Sequence, residues 1–485
     1  MKYKVIIRNC REYNPERIAG IIGEGMEELG ARPRGRVLIK PNVVIAHRKF
    51  FRNAYTRPEF LEGMILALKA RGEEVKSLEV GEKCGITIPT RYAFFEAGYR
   101  KVLRRQRVKV HYFDEEDSVE VRLGSYSLRD RIFVPEPVVE ADYFVNLPKF
   151  KAHPWTKVTF SLKNYIGIQD DRHRLMDHDY MLERKIVDLY QVRSSDFIAI
   201  DGIVAGERTM LTPDPFPLGL IIMGTNQVAV DAVSTHIAGL SPEDVEHIRI
   251  AHEKGYGPIA LDEIEITGDV SLEEAMERAK GFRLTLDRID RIFNGKSNLN
   301  IYPGPPPEPE VTDYCWGGCP GALFEAMQII KQLQPDVFNE IKKLHIVFGN
   351  YRGEINAGNG EKVIFMGDCA RFKGKIRGKD VEIPFIYRTR DKITPENARG
   401  SDIVAKMVGT IFNLLRSTGK TYIRAKGCPV SVAENVLYLA FLGRVKNPYF
   451  HPSILPFFVW YYFISKLAKI KNRIKRKFKN KIQEL

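Results

Sequence analysis

The sequence predicts an α/β protein: a larger domain on a mostly parallel, Rossmann-like sheet, a second smaller α/β domain bearing cysteines, and a basic amphipathic C-terminal helix. Three observations carry this. Short β-rich runs alternate with helical patterns through the first half, as βαβ units do. A smaller alternation follows a Pro/Gly-rich break, and four of the six cysteines fall in it. The C-terminal forty or so residues are aromatic-rich and then purely basic.

In chain order, 4–8 reads as a strand and 15–29 as a helix with apolar positions at helical spacing. A buried-looking strand at 37–44 precedes a helix at 58–70, a strand at 74–80, a helix at 90–104 and a strand at 108–113. Residues 119–135 form an inserted hairpin with Gly124 at its turn. Strand patterns return at 143–147, 197–200 and 219–223, each ending in a polar or glycine-bearing loop. Open α/β sheets place their ligand sites in such loops. The stretch 294–312 (NGKSNLNIYPGPPPEPEVT) reads as a stiff linker. Beyond it come a helix at 321–333, strands at 344–348 and 363–366, a helix at 401–416, a strand at 422–424 and a helix at 432–442. The expected organisation is therefore 1–293, linker 294–312, 313–445, and a tail at 446–485.

At 485 residues, with 44% hydrophobic and 28% charged, the chain is neither mostly disordered nor collagen-like. A net charge of +14 invites a nucleic-acid reading. That reading weakens on inspection, because nine Lys and Arg and no acid lie within 466–481 and the body is close to balanced. No secretory pattern opens the sequence, so a reducing cytoplasmic setting is expected. There, cysteines serve metal or redox chemistry better than stapling. The apolar run at 454–464 is far shorter than a membrane span and contains a proline.

Cys315 and Cys319 lie in CWGGCPG, Cys369 in MGDCA and Cys428 in KGCPV. The last two closely follow short apolar runs, which places both just beyond strand ends. Pro320 is suited to open a helix. In a parallel sheet those strand ends and that helix N-terminus share one edge, so four thiolates can converge. Glycine neighbours leave backbone N–H groups able to approach cluster sulfides. The expectation is an iron–sulfur cluster, of the [4Fe-4S] type, with structural zinc as the alternative. Small buried thiols at strand ends are the plainer reading. Cys10 and Cys84 have no close partner, and no ligand role is assigned to them.

Cationic and amide residues cluster at the strand ends of the first half: Lys40 and Asn42, then Lys149, Lys151 and His153, then Lys163 and Asn164. Lysines beside amides suit an anionic small molecule, with Asn42 and Asn164 orienting it and His153 or Asp201 moving protons. Lys40 and Lys163 are expected to face one pocket with His153. A loop with Asp170, Asp171, His173, Asp177, His178 and Asp179 is rich in potential metal ligands, although such loops are more often polar lids.

IKPNVV, GEKCG, NLPKFKAHPWTKVTFSLKNYIGI, IDGIVAGE and GTNQVAVDAVSTHIAG occur in this order from Arg36 to Ala238. This series resembles the archaeal and bacterial family catalogued as domain of unknown function 362. Members of that family often carry a ferredoxin-like module, so the resemblance implies an inclination towards iron–sulfur chemistry. The present chain departs from it in having no Cys-x₂-Cys-x₂-Cys run. The reaction stays open.

The functional expectation is electron transfer through the cluster to a bound anionic molecule or cofactor, with a redox partner protein as donor. The competing classes are a zinc-bearing, metal-dependent enzyme without redox, using Glu207, Asp201 and His173, and a membrane-surface adaptor. In the tail, Leu467, Ile470, Ile474 and Phe478 recur at helical intervals among basic residues. An anionic membrane surface at the inner face of the cell membrane is thus a further expected partner; nucleic acid is not.

Overall fold

The computed structural model describes residues 2–71, 74–86, 88–309, 312–386 and 403–483. They form two compact units: one of residues up to 170, 183–285 and 456–485, the other of 171–182 and 286–455.

The first unit contains β1 (Tyr3–Asn9), β2 (Gly35–Pro41), β3 (Val75–Glu82) and β4 (Lys109–Tyr112), then the antiparallel hairpin of β5 (Ser118–Arg122) and β6 (Arg131–Pro135). There follow β7 (Tyr143–Leu147), β8 (Lys149–His153), β9 (Lys157–Thr159), β10 (Phe197–Glu207), β11 (Asp214–Phe216), β12 (Leu220–Gly224) and β13 (Ile264–Gly268). The main sheet runs β13-β1-β12-β10-β7-β2-β3-β4, with β8, β9 and β11 attached beside β10. It is mostly parallel, because only β12 pairs antiparallel with its two neighbours along that path. The helix Pro15–Glu28 shows why these helices form. Asn14 caps it through the Arg17 N–H, proline opens it, and Ile18, Ile22 and Met26 bury one stripe at i, i+4 spacing. The helix expected over 90–104 is broken in two, since Gly98 takes φ +82° between Thr90–Glu96 and Tyr99–Arg105.

The second unit holds β14 (Leu299–Pro303), β15 (Leu344–Phe348), β16 (Asn350–Ile355), β17 (Lys362–Met366), β18 (Arg371–Ile376), β19 (Lys379–Ile383) and β20 (Tyr422–Ala425). Strands β14-β15-β17-β20 form an all-parallel sheet, and β16-β18-β19 a smaller one. Strand β14 lies inside the stretch read as a linker. Leu299 and Ile301 alternate inward and are buried, and the proline-rich run begins only after them. The unit boundary accordingly falls near 286, and a loop at 171–182 from the first half joins the second unit. The last helix spans Leu455–Gln483 and groups with the first unit. The side chain of Phe478, expected on its apolar stripe, lies outside the described residues, as do the first two residues of the helix expected at 401–416. No helix among the described residues is long and apolar enough to cross a membrane.

Candidate functional site

Parallel register sets the polar cluster of the first unit. Lys40 on β2 lies opposite Asn146 on β7, and Glu82 ends β3 next door. The Lys40 ammonium donates to Glu82 Oε2 at 2.8 Å and to Asn164 Oδ1 at 3.2 Å, with both ionic side chains sealed from solvent. Asn42 donates to Asn164, which in turn donates to Asn146, so three amides and one ion pair form one connected network. Gly167 covers it. A Cβ there would lie 2.0 Å from Glu82 Oε1 and 2.7 Å from Lys40 Nζ. Asn164 and Lys163 sit on the short helix Ser161–Asn164, whose first amides donate to Asp231 from across the fold. Burial pushes the Asp231 carboxyl up to about 6, although Ser161 and Leu162 hydrogen bonds oppose it.

A second buried pair involves Lys149 and Asp201. Lys149 Nζ donates to Asp201 Oδ2 at 2.9 Å and to the Tyr13 hydroxyl at 2.8 Å, while Tyr13 donates to Asp201 Oδ1 and the Arg57 N–H to Oδ2. Burial pulls the Lys149 ammonium below its ordinary value against the opposing pull of Asp201. Burial and the same carboxylate push Tyr13 well above its own. Lys151 is used differently, donating to the carbonyls of Ala54 and Met210. His153 is buried and turned onto its own loop, its Nδ1 within reach of the Trp155 and Thr156 N–H groups. Lys40, Lys149 and Lys151 are therefore each held by buried partners of their own.

The cysteines behave otherwise. Cys319 is the first residue of the helix Cys319–Lys331 with Pro320 after it, while Cys369 and Cys428 lie just past β17 and β20. Cys315, Cys319, Cys369 and Cys428 line one cavity, together with Gly318, Gly427 and Asp179. Two turns build its rim. Gly367 and Gly427 adopt φ of +98° and +137°, and the loops are tied by Asp368 N to Gly427 O and by Gly427 N to Asp368 Oδ1. The Val430 N–H donates to Cys319 Sγ at 3.2 Å. Glycine is needed where the sulfurs pass: a Cβ at Gly318 would be 2.7 Å from Cys315 Sγ, and one at Gly367 3.0 Å from Cys319 Sγ and 3.8 Å from Cys369 Sγ. Burial raises the Cys319 thiol well above its usual value, with Cys369 adding to it. Among the described residues, no three His, Cys, Asp or Glu gather tightly enough to hold a single metal ion. Cys10 and Cys84 are buried elsewhere, in the first unit.

Sequence reasoning missed Tyr13, and it placed Asp179 in an acidic loop without linking it to the cysteines. Neither stands in a motif with the residues it touches. A cleft of about 670 Å³ in the first unit, lined by Arg48, Arg52, Arg57, Arg100, Lys101 and Arg104, was missed as well. Arg48, Arg52 and Arg57 lie far along the chain from the helix that carries the other three.

Comparison with known proteins places part of this chain. Residues 37–236 match the family described as Domain of unknown function (DUF362). A thylakoid-associated protein, sll1697 of Synechocystis, is 24% identical over 245 residues, which is 48% of this chain and 71% of that protein. The lactate racemase apoprotein of Thermoanaerobacterium thermosaccharolyticum aligns over 71% of this chain and 69% of its own, at 11% identity and a TM-score of 0.31.

Proposed function

We propose that this protein carries a four-iron cluster on Cys315, Cys319, Cys369 and Cys428 and passes electrons to an anionic small molecule or cofactor. The observation that supports it is one cavity lined by four thiols from three separate chain segments, with glycines where a Cβ would strike sulfur. Four thiolates are the ligand set that such a cluster takes. Such a cluster supplies one-electron transfer, accepting an electron from a redox partner protein and yielding it to the bound acceptor. The chain's own part is to hold four thiolates, to donate the Val430 N–H to one of them, and to keep apolar prolines against the rest.

The test is purification without oxygen, followed by iron and sulfide analysis and visible absorption. Stoichiometric iron with cluster absorption, lost together in Cys369→Ser and in Cys428→Ser, is expected. Bound zinc without iron, or colour that survives either serine, overturns the cluster.

A second reading rests on a different observation, the exposed apolar side of the C-terminal helix. Trp460, Phe463 and Leu467 are 60–67% exposed, while Tyr461, one position on from Trp460, is buried. In this reading the helix holds the protein at an anionic membrane surface, and a relative named for its association with the thylakoid accords with it. Removal of 456–485 should release the protein from anionic vesicles and leave iron content unchanged.

A further inference from the structure

The arginine-lined cleft and the C-terminal helix share a wall. Phe95 and Arg100 line the cleft. The rings of Phe457 and Tyr461 lie 5.4 and 5.2 Å from Phe95, and Arg100 donates to the Tyr461 hydroxyl. These contacts fix which side of the helix faces the protein. On its other side Trp460, Phe463, Leu467, Ile470 and Ile474 recur at spacings of three and four, each half exposed or more. That spacing gives one continuous apolar stripe. Lys466, Lys469, Lys471 and Arg473 flank it.

The cleft itself is strongly positive. Its wall carries six cations, and Glu96 is the one acid among its described residues. Glu96 is already paired with Arg48, and Arg57 with Glu59. Arg52, Lys101 and Arg104 are exposed and have no ion-pair or side-chain hydrogen-bond partner among the described residues. Arginines around an open cleft of this size match the several oxygens of a phosphate diester, which guanidinium groups grip in pairs. A second copy of the helix would not cover the stripe well, since its basic flanks contain no acid over 466–481 and would repel their own kind. An anionic bilayer meets both features at once.

Resting on the membrane-surface reading above, we propose that this cleft receives the phosphate-bearing headgroup of an anionic phospholipid. The exposed stripe of the C-terminal helix enters the same leaflet. The helix supplies apolar area and non-selective adhesion, and the cleft supplies preference for negative headgroups. Buried Tyr461 couples the two by holding the helix on the cleft wall.

The test uses the full-length protein and sedimentation with vesicles of phosphatidylcholine alone or mixed with phosphatidylglycerol. Three variants are compared. The first carries Arg52→Glu with Arg104→Glu in the cleft. The second, a control of equal charge change outside the cleft wall, carries Arg249→Glu with Lys280→Glu. The third carries Trp460→Ser with Phe463→Ser and Leu467→Ser on the stripe. Basic residues near an anionic surface contribute on the order of 1 kcal/mol each, so the cleft variant should lose at least about tenfold in affinity for the mixed vesicles. The control variant should lose much less, and the stripe variant should lose binding to both vesicle types. Cleft and control variants that lose equally would reduce the cleft to bulk charge and overturn the headgroup site. A cleft variant that binds like the parent, while the stripe variant does not, overturns the headgroup site and leaves surface attachment standing. A parent protein that ignores mixed vesicles overturns both. Micromolar binding of inorganic phosphate, abolished by Arg52→Glu with Arg104→Glu and without vesicle binding, assigns the cleft to a free anion and overturns the lipid.

Discussion

The first unit's lysine cluster and the second unit's cysteine cavity were both expected at strand ends, and they differ in what their side chains meet. Lys40 and Lys149 find buried carboxylates, Glu82 and Asp201, and are sealed from solvent. The four cysteines instead face a common cavity lined mostly by glycine, proline and their own sulfurs. A lysine in a sealed site must be neutralised by the fold itself, because an unpaired buried charge is too costly to keep. A thiol can be buried neutral at little cost and still serve as a ligand. Ion pairs therefore neutralise the first cluster within the fold, whereas the second gathers its thiols around one cavity.

The largest expected effect tests the structural half of this contrast. Lys149→Met leaves the buried Asp201 carboxylate to Tyr13 and the Arg57 N–H. Lys40→Met likewise takes the ammonium from Glu82 and leaves it backbone N–H groups of Val43 and Lys83. Each should cost about 3–5 kcal/mol in denaturant unfolding, as removal of one partner of a buried pair does. Cys428→Ala, by contrast, should leave unfolding nearly unchanged in the metal-free protein. Lysine variants as stable as the parent would break the comparison.

A second effect is read in pH. Asp231 holds the helix that carries Lys163 and Asn164, and its folded carboxyl titrates at about 6 against an ordinary 3.8. Because the folded value is raised, the folded state keeps a proton that the unfolded chain has released. This contribution to stability is whole below about pH 4, declines as pH rises towards 6, and is gone above it. The difference amounts to roughly 3 kcal/mol, at about 1.36 kcal/mol for each pH unit. Denaturation midpoints of the parent should therefore fall from about pH 4 to 7 relative to those of Asp231→Asn, which cannot titrate. Parallel curves would show that burial does not raise this carboxyl.

Most of the fold was legible in the sequence, because alternating β and helical periods are local signals. Strand β14 was not, since two inward positions, Leu299 and Ile301, were outweighed by the prolines that follow them. The site was legible by residue type and not by partner. Lys40, Asn42 and Asn164 do meet, and the four cysteines do share a cavity. Nothing local in the sequence says that Glu82 would reach back to Lys40, or that Tyr13 would join Lys149 from a different loop. Those pairings depend on which strands become neighbours in the sheet, as β2 does with β3 and β7. The arginine cleft was hidden for the same reason.

The smallest effects come from one methyl group placed in each region. At Gly167 a Cβ would stand 2.0 Å from Glu82 Oε1. The Lys83 N–H holds that oxygen and Lys40 holds its twin, so the carboxylate cannot yield cheaply. Gly167→Ala should cost about 1–3 kcal/mol, in the range of overpacked cores. At Gly318 the Cβ would meet Cys315 Sγ at 2.7 Å, the end of a side chain that can swing into the cavity. Gly318→Ala should therefore change unfolding by less than about 1 kcal/mol. With the proposed cluster bound, its effect should fall on iron content instead, since Cys315 would be displaced from the shared cavity. Unfolding curves and iron content, measured on both variants, should separate the two regions. Gly167→Ala should lose stability and keep its iron, and Gly318→Ala should lose iron and keep its stability. A Gly318→Ala protein with full iron would mean that Cys315 is not a ligand, and the cavity would then offer three thiols with Asp179 beside Cys428 as the remaining donor.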